Sequence, residues 1–280
     1  MKKLIFPVLL LTGALIFAQT QEPELLKKAD GFSHPESVVY DEARDHVYIS
    51  NIGEKNPNDG FISKTNLDGE VLELQWITDL NDPKGLLIQD DKLYVSDNTD
   101  LVIMDIESGT ITSRIEVEGA QFLNDIAADA EGNIYISDTG NSSIYIMKKD
   151  SDKIEQWLSS EELEFPNGLL VIDDNIYVAA WGKEDGGNLL KVELNNKEIT
   201  KVSEGPIGNL DGIQLNNNNN NFYISDWATG DIHEIDRKGK LSKILTSEKS
   251  AGDILFHQES GKLVLPMNRQ NSVWWYQIKE

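Results

Sequence analysis

Six short segments of the chain share one pattern, in which a polar residue stands at the start of an apolar run. The aligned segments cover residues 34–40, 82–88, 122–128, 165–171, 209–215 and 250–256, and the third residue of each is Glu36, Lys84, Asn124, Asn167, Asp211 and Gly252. Glu, Asn and Asp are poor strand formers, so forming a strand does not by itself explain them.

Four of these residues carry side-chain oxygens, and equivalent positions of a closed repeat converge on one axis. Calcium prefers 6–8 carboxylate, amide or water oxygens. We therefore predict a metal site formed by Glu36, Asn124, Asn167 and Asp211, with waters completing the shell and leaving room for a substrate. An alternative is that the Asn-Gly and Asp-Gly pairs at 167–168 and 211–212 are ordinary turns.

Lys84 is the one cation in this set. An ammonium ~7 Å from a divalent ion would be repelled by ~5 kcal/mol at an effective dielectric of ~20. Lys84 could point away, bind an anionic group of a substrate, act as a base or replace the metal. We favour the anionic group, because the metal-ligand positions around it are intact.

The elements that position these residues recur along the whole chain. One strand-like motif repeats every 41 to 46 residues, centred on Tyr48, Tyr94, Tyr135, Tyr177, Tyr223 and Val264. Each unit holds four strand-like runs separated by turn residues. A repeat of this length with short strands predicts an all-β, six-bladed β-propeller with four antiparallel strands per blade. We assign it to residues 19–280 as one domain.

The sixth unit supplies only three strand-like runs, whereas an additional run, Glu24–Ala29, precedes the first inner strand. We expect this run to be the outermost strand of the last blade, which closes the ring with both ends of the chain.

The N-terminus has the features of a signal peptide. Lys2 and Lys3 precede an apolar run over residues 4–17, and Ala18 is small. We predict a signal peptide over residues 1–18 and a periplasmic or extracellular protein; an uncleaved anchor is the alternative.

The formal charge of −23 disfavours nucleic-acid and anionic-membrane partners. The 280 residues contain no cysteine, which excludes disulfides, thiolate metal sites and a cysteine nucleophile within them.

Four segments carry a resemblance to a known family: PESVVY at 35–40, LNDIAADAEGNIY at 123–135, PNGLLV at 166–171 and LDGI at 210–213. In these segments the sequence resembles the senescence marker protein, gluconolactonase and luciferin-regenerating enzyme family of propellers. It is more distantly similar to paraoxonases and strictosidine synthase-like proteins, although no histidine matches the paraoxonase pair. The resemblance implies that Glu36, Asn167 and Asp211 are metal ligands and that Asn124 is a ligand or orients the substrate.

The function predicted from these features is a secreted, calcium-dependent hydrolase of a lactone or related ester. Asp211 is the first candidate to activate the attacking water, and Lys84 is the second. The substrate would be a small molecule, and an anionic one if Lys84 binds it. The alternative is a non-catalytic propeller that binds a ligand or protein at the mouth of the channel.

Several residues follow the second strand of a unit and should lie on the same face as the site. Asp97, Asp138 and Asp226 are expected to support turns. Trp181 and Trp227 are either platforms for a sugar or another ring or packing between blades.

Overall fold

A computed structural model describes residues 22–54 and 56–279 of the chain. The predicted signal peptide lies outside these ranges. Within them, twenty-four strands form six four-stranded antiparallel sheets. No helix of the described residues is long and apolar enough to cross a membrane.

The first strand of the chain, β1 (Glu24–Asp30), belongs to the last sheet. The first three blades are formed in order by β2 (Pro35–Asp41), β3 (His46–Asn51), β4 (Gly60–Thr65) and β5 (Val71–Leu80); β6 (Pro83–Gln89), β7 (Lys92–Asp97), β8 (Asp100–Asp105) and β9 (Thr110–Glu116); and β10 (Leu123–Ala128), β11 (Ile134–Asp138), β12 (Ser143–Met147) and β13 (Ile154–Ser159).

The remaining blades are formed by β14 (Pro166–Ile172), β15 (Asn175–Ala180), β16 (Leu189–Glu193) and β17 (Ile199–Lys201); β18 (Leu210–Asn216), β19 (Asn221–Asp226), β20 (Asp231–Ile235) and β21 (Leu241–Thr246); and β22 (Leu255–His257), β23 (Lys262–Met267) and β24 (Ser272–Gln277) with β1 outermost. Two 3₁₀ turns occur at Glu161–Leu163 and Asn268–Gln270. The innermost strands contact one another around a closed ring, in the order β2, β6, β10, β14, β18, β22 and back to β2. The predicted six-bladed β-propeller is confirmed.

The N-terminal strand closes the last blade, as the sequence predicted. Strand β1 pairs antiparallel with β24 from Glu24 opposite Gln277 to Asp30 opposite Ser272. Its Lys28 ammonium lies 3.3 Å from the ring centroid of Trp274, and its Ala29 is buried.

The blades stack because both faces of their inner strands are apolar. Residues such as Tyr135 and Ile144 of the third blade share one core with Leu169 and Val178 of the fourth. Burying a large apolar side chain contributes about 1.5–3 kcal/mol, so stacking of neighbouring blades, more than any single blade, stabilises the ring.

The serine of the repeated motif joins the second, third and fifth blades to the blades that follow them. Ser137 Oγ accepts a hydrogen bond from Asp125 N in its own blade (2.9 Å) and donates one to Asn167 O in the next (2.6 Å). Ser96 donates in the same way to Asn124 O, and Ser225 to Gly252 O. These bonds fix the backbone of the ring positions relative to the preceding blade.

The Asn-Gly and Asp-Gly pairs lie inside strands β14 and β18, so the alternative that they are ordinary turns is wrong. A Cβ on Gly168 would overlap Asp211 O, and a Cβ on Gly212 would overlap Ile254 N. Glycine is required here because neighbouring inner strands approach closely near the axis.

Candidate functional site

The structure brings the predicted ring together at the end of the channel where the inner strands begin. Each of β2, β6, β10, β14 and β18 has a register irregularity at the ring residue. Such bulges re-aim side chains and are frequent beside active sites. The five ring side chains are all only 3–4% exposed: Glu36, Lys84, Asn124, Asn167 and Asp211.

Three buried oxygens of this ring have no hydrogen-bond partner. They are Glu36 Oε2, Asn167 Oδ1 and Asp211 Oδ1, the same three residues that the family resemblance implies as metal ligands. Buried polar atoms are normally satisfied, and leaving one unpaired costs about 1–3 kcal/mol. A hard cation held between them would satisfy all three, and two carboxylates with one amide oxygen suit calcium.

The amide oxygen is an essential part of this donor set. Among residues 22–54 and 56–279, no three His, Asp or Glu side chains form a group that could hold a metal ion. The Asn167 side chain also hydrogen-bonds Asp211, so its NH₂ group faces that carboxylate while Oδ1 is left for a ligand.

Asn124 is a further residue of the ring, and its amide is oriented by hydrogen bonding. Its Nδ2 donates to Thr139 Oγ1 (3.2 Å), and its backbone carbonyl accepts from Ser96. The Oδ1 end of the amide is therefore the end available to a cation or a substrate.

Two buried carboxylates next to the ring were not predicted from the sequence. Asp125 and Asp253 each follow a ring position by one residue. Asp125 accepts from Ile126 N (2.7 Å) and Leu169 N (2.6 Å), and Asp253 accepts from Ser37 Oγ (2.6 Å). At the same position three other blades carry glycine, and this contrast within the repeat was the available signal.

Burial and mutual repulsion perturb this group of four carboxylates. Burial raises the pKa of Glu36 well above its usual value, and the charge of Asp211 raises it further, whereas Lys84 lowers it. Burial and the charge of Asp253 raise the pKa of both Asp125 and Asp211. Burial raises the pKa of Asp253 to about 7, against the smaller, opposite effect of its hydrogen bond from Ser37. Without a cation, the folded protein therefore holds protons in this cluster.

The metal-free protein should lose stability as the pH rises from about 4 to about 7. In this range the folded state binds more protons than the unfolded state, because an unfolded Asp titrates near 3.8 whereas folded Asp253 titrates near 7. We expect a lower melting temperature at pH 8 than at pH 5.5 in calcium-free buffer after metal removal. Asp253→Asn should flatten this decline; equal slopes for the two proteins would contradict the assignment.

Lys84 is paired at the rim of the site. Its Nζ lies 2.7 Å from Asp82 Oδ2, donates to Asp82 O (3.2 Å) and lies 4.2 Å from the ring centroid of Phe122. The ammonium is paired with Asp82, and its charge still lowers the pKa of Glu36. An anionic substrate would have to compete with Asp82 for the ammonium.

The aspartates after the second strands support the loops that lead into the inner strands. Asp97 accepts a hydrogen bond from Asn81 N (2.8 Å), and Asp138 accepts one from Phe122 N (2.9 Å). Asp226 accepts one from Asn209 N (3.2 Å), in the loop before β18.

Strand pairing places Ala180, not Trp181, opposite the first residue of β14. In its blade, Trp181 therefore follows the position that Asp97 and Asp138 occupy in theirs, and it is equivalent to Trp227.

Comparison with known proteins places these features in a family. The family model described as SMP-30/Gluconolactonase/LRE-like region matches residues 34–264. No curated protein matches the sequence. Among solved structures, the chain is similar to a gluconolactonase from Xanthomonas campestris, with a TM-score of 0.72, 14% identity, and coverage of 92% of this chain and 95% of that one.

A second similar structure is a catalytically inactive variant of virginiamycin B lyase from Staphylococcus aureus with quinupristin. It has a TM-score of 0.67 and 14% identity, and the match covers 92% of this chain and 100% of that one. At such low identity the two structures support the fold alone.

Proposed function

Because the chain belongs to the SMP-30/gluconolactonase/LRE-like family, we propose that it hydrolyses a lactone or related ester with calcium bound by Glu36, Asn167 and Asp211. The observation that carries this proposal is the set of three buried, unpaired oxygens at these residues. The family to which the chain belongs supports the substrate class.

Bound calcium would polarise the lactone carbonyl and stabilise the developing oxyanion. Asp211 accepts a proton from the attacking water as the water oxygen bonds to the carbonyl carbon. The ring C–O bond then breaks, and its oxygen takes up a proton, which yields one hydroxy acid. Lys84 is the second candidate for the proton acceptor, but only as a neutral amine, so its ammonium would first have to lose a proton and leave Asp82.

Asn124 is proposed to orient the substrate or to add a fourth oxygen ligand. Its Oδ1 end is directed away from Thr139, which holds its NH₂ group. The apolar N-terminal segment that follows Lys2 and Lys3 supports an exported protein, which we propose for the mature chain from residue 19.

The test is hydrolysis of lactones by purified protein, with calcium and after treatment with chelator. We expect turnover in calcium, loss of turnover in chelator and recovery when calcium is restored. We also expect about one calcium per chain by elemental analysis. Calcium binding with no hydrolysis of any lactone or ester would support the non-catalytic alternative, and hydrolysis that is indifferent to chelator would exclude the metal.

A further inference from the structure

The mouth of the channel has twelve equivalent positions, two from each blade. In every blade, the backbone carbonyl two residues before the ring position accepts a hydrogen bond from the N–H of the residue that follows the second strand. We call these twelve residues the rim, and the acceptor–donor pairs are His34–Ile52 (3.2 Å), Asp82–Asn98 (3.4 Å), Phe122–Thr139 (3.0 Å), Phe165–Trp181 (2.9 Å), Asn209–Trp227 (2.9 Å) and Ser250–Asn268 (3.0 Å).

Large aromatic side chains occupy the rim on one side only. Phe122, Phe165, Trp181 and Trp227 belong to the third, fourth and fifth blades, which also supply Asn124, Asn167 and Asp211. The rings of Trp181 and Trp227 lie 6.2 Å apart with an interplanar angle of 55°. The second and sixth blades present only polar residues at the rim, and the first blade presents His34 and Ile52.

These aromatic residues are not buried between blades. Phe122 is 39% exposed, whereas the core ring of Tyr48 is 0% exposed. Phe165, Trp181 and Trp227 are each partly exposed. Apolar surface beside a few convergent polar groups is typical of a ligand site. Of the two roles that the sequence left open for the tryptophans, the structure therefore favours a platform.

Lys84 is buried against the same surface. Its ammonium lies over the Phe122 ring at 4.2 Å from the centroid while Asp82 pairs with its charge. A cation over an aromatic face is favourable, so this contact holds Phe122 at the rim.

We propose that this aromatic half of the rim binds a flat apolar ring of the substrate, so that the preferred substrate is a lactone fused to or bearing such a ring. The inference rests on the proposed function, which places the reacting carbonyl at Asn167 and Asp211. A polyhydroxylated lactone needs a hydrogen-bond partner for each hydroxyl. On the aromatic half of the rim, Thr139 Oγ1 already donates to Pro166 O (2.8 Å) and Asn209 Nδ2 to Trp181 O (3.0 Å), and the four aromatic side chains add only two indole N–H groups. A flat apolar ring instead gains from stacking and from burial.

The test compares two six-membered lactones, 3,4-dihydrocoumarin and glucono-1,5-lactone, in calcium. We expect a higher kcat/KM for dihydrocoumarin. Trp181→Ala and Trp227→Ala should each raise its KM by about tenfold, as expected for loss of one aromatic contact, with little change in kcat. Trp181→Phe should restore most of the affinity. The matched control is Ile52→Ala, an apolar truncation at the equivalent position across the mouth, which should change neither constant.

Binding in chelator separates this inference from the proposed function. Dihydrocoumarin should still quench tryptophan fluorescence without calcium, and Trp181→Ala should weaken that binding. Binding that depends on Trp181, without hydrolysis of any lactone, would refute the proposed function and keep the rim site. Calcium-dependent hydrolysis with a preference for gluconolactone, or with tryptophan variants within twofold of wild type, would overturn the rim site alone. If the protein neither binds dihydrocoumarin nor hydrolyses any lactone, both the rim site and the proposed function are overturned.

Discussion

Asp211→Asn should abolish both calcium binding and lactone hydrolysis, and it should raise the melting temperature of the metal-free protein. The side chain keeps its shape but loses a buried negative charge that sits with Glu36, Asp125 and Asp253. Without metal, this charge is either repelled by the other carboxylates or neutralised by a proton that the cluster must hold. Removing it should raise the melting temperature by about 2–4 °C for each kcal/mol of repulsion relieved.

The loss of function should be much larger than this gain in stability. Removing a proton acceptor typically lowers the rate about 10²–10⁴-fold, and here the same substitution also removes a charged ligand. At calcium concentrations a hundredfold above the dissociation constant, the free energy of unfolding of the wild-type protein should rise by about 2.7 kcal/mol. That of the variant should hardly change. The measurements are thermal melts in calcium and in chelator together with initial rates.

Asp253→Asn is the matched control for charge relief. It removes a charge from the same cluster, but Asp253 already accepts a hydrogen bond from Ser37 and is outside the proposed ligand set. This variant should melt higher without metal and retain the calcium shift. If Asp211→Asn keeps the wild-type calcium shift, Asp211 is not a ligand.

The repeat in the sequence was sufficient to predict the fold and the ring. Strand formation does not explain Glu36, Asn167 and Asp211, so their polarity stood out at the start of runs that are otherwise apolar. The closing strand was predictable for a related reason, because the last unit lacked one apolar run that Glu24–Ala29 could supply.

Contacts between blades were not predictable in the same way. The direction of Lys84 depends on Asp82 and on Phe122 of the neighbouring blade, which no local pattern specifies. Asp125 and Asp253 occupy a position that three of the six units fill with glycine, and this contrast did not indicate that the two carboxylates would be buried beside the ring. The equivalence of Trp181 and Trp227 was hidden because Ala180 replaces the aspartate that marks this position in neighbouring blades.

Deleting residues 22–30 should produce the largest loss of stability. This change removes β1 and exposes the edge of β24, whose Trp274 and Tyr276 are buried in the intact blade. It also removes the Lys28 contact with Trp274 and the 2.9 Å ion pair between Glu24 and Lys279. Each lost backbone hydrogen bond costs about 0.5–1.5 kcal/mol, and an unpaired apolar edge promotes aggregation.

We expect the shortened protein to melt roughly 10 °C or more below a protein that begins at residue 22, or to aggregate during purification. A protein that begins at residue 24 keeps the whole strand and is the length control. Ala29→Asp tests the strand without shortening the chain, because Ala29 packs in the core with Phe32, Val273 and Trp275, and a carboxylate there would be buried without a partner. If the protein lacking β1 stays monomeric and melts with the control, the ring is held by stacking of the blade cores, and closure by β1 contributes little to its stability.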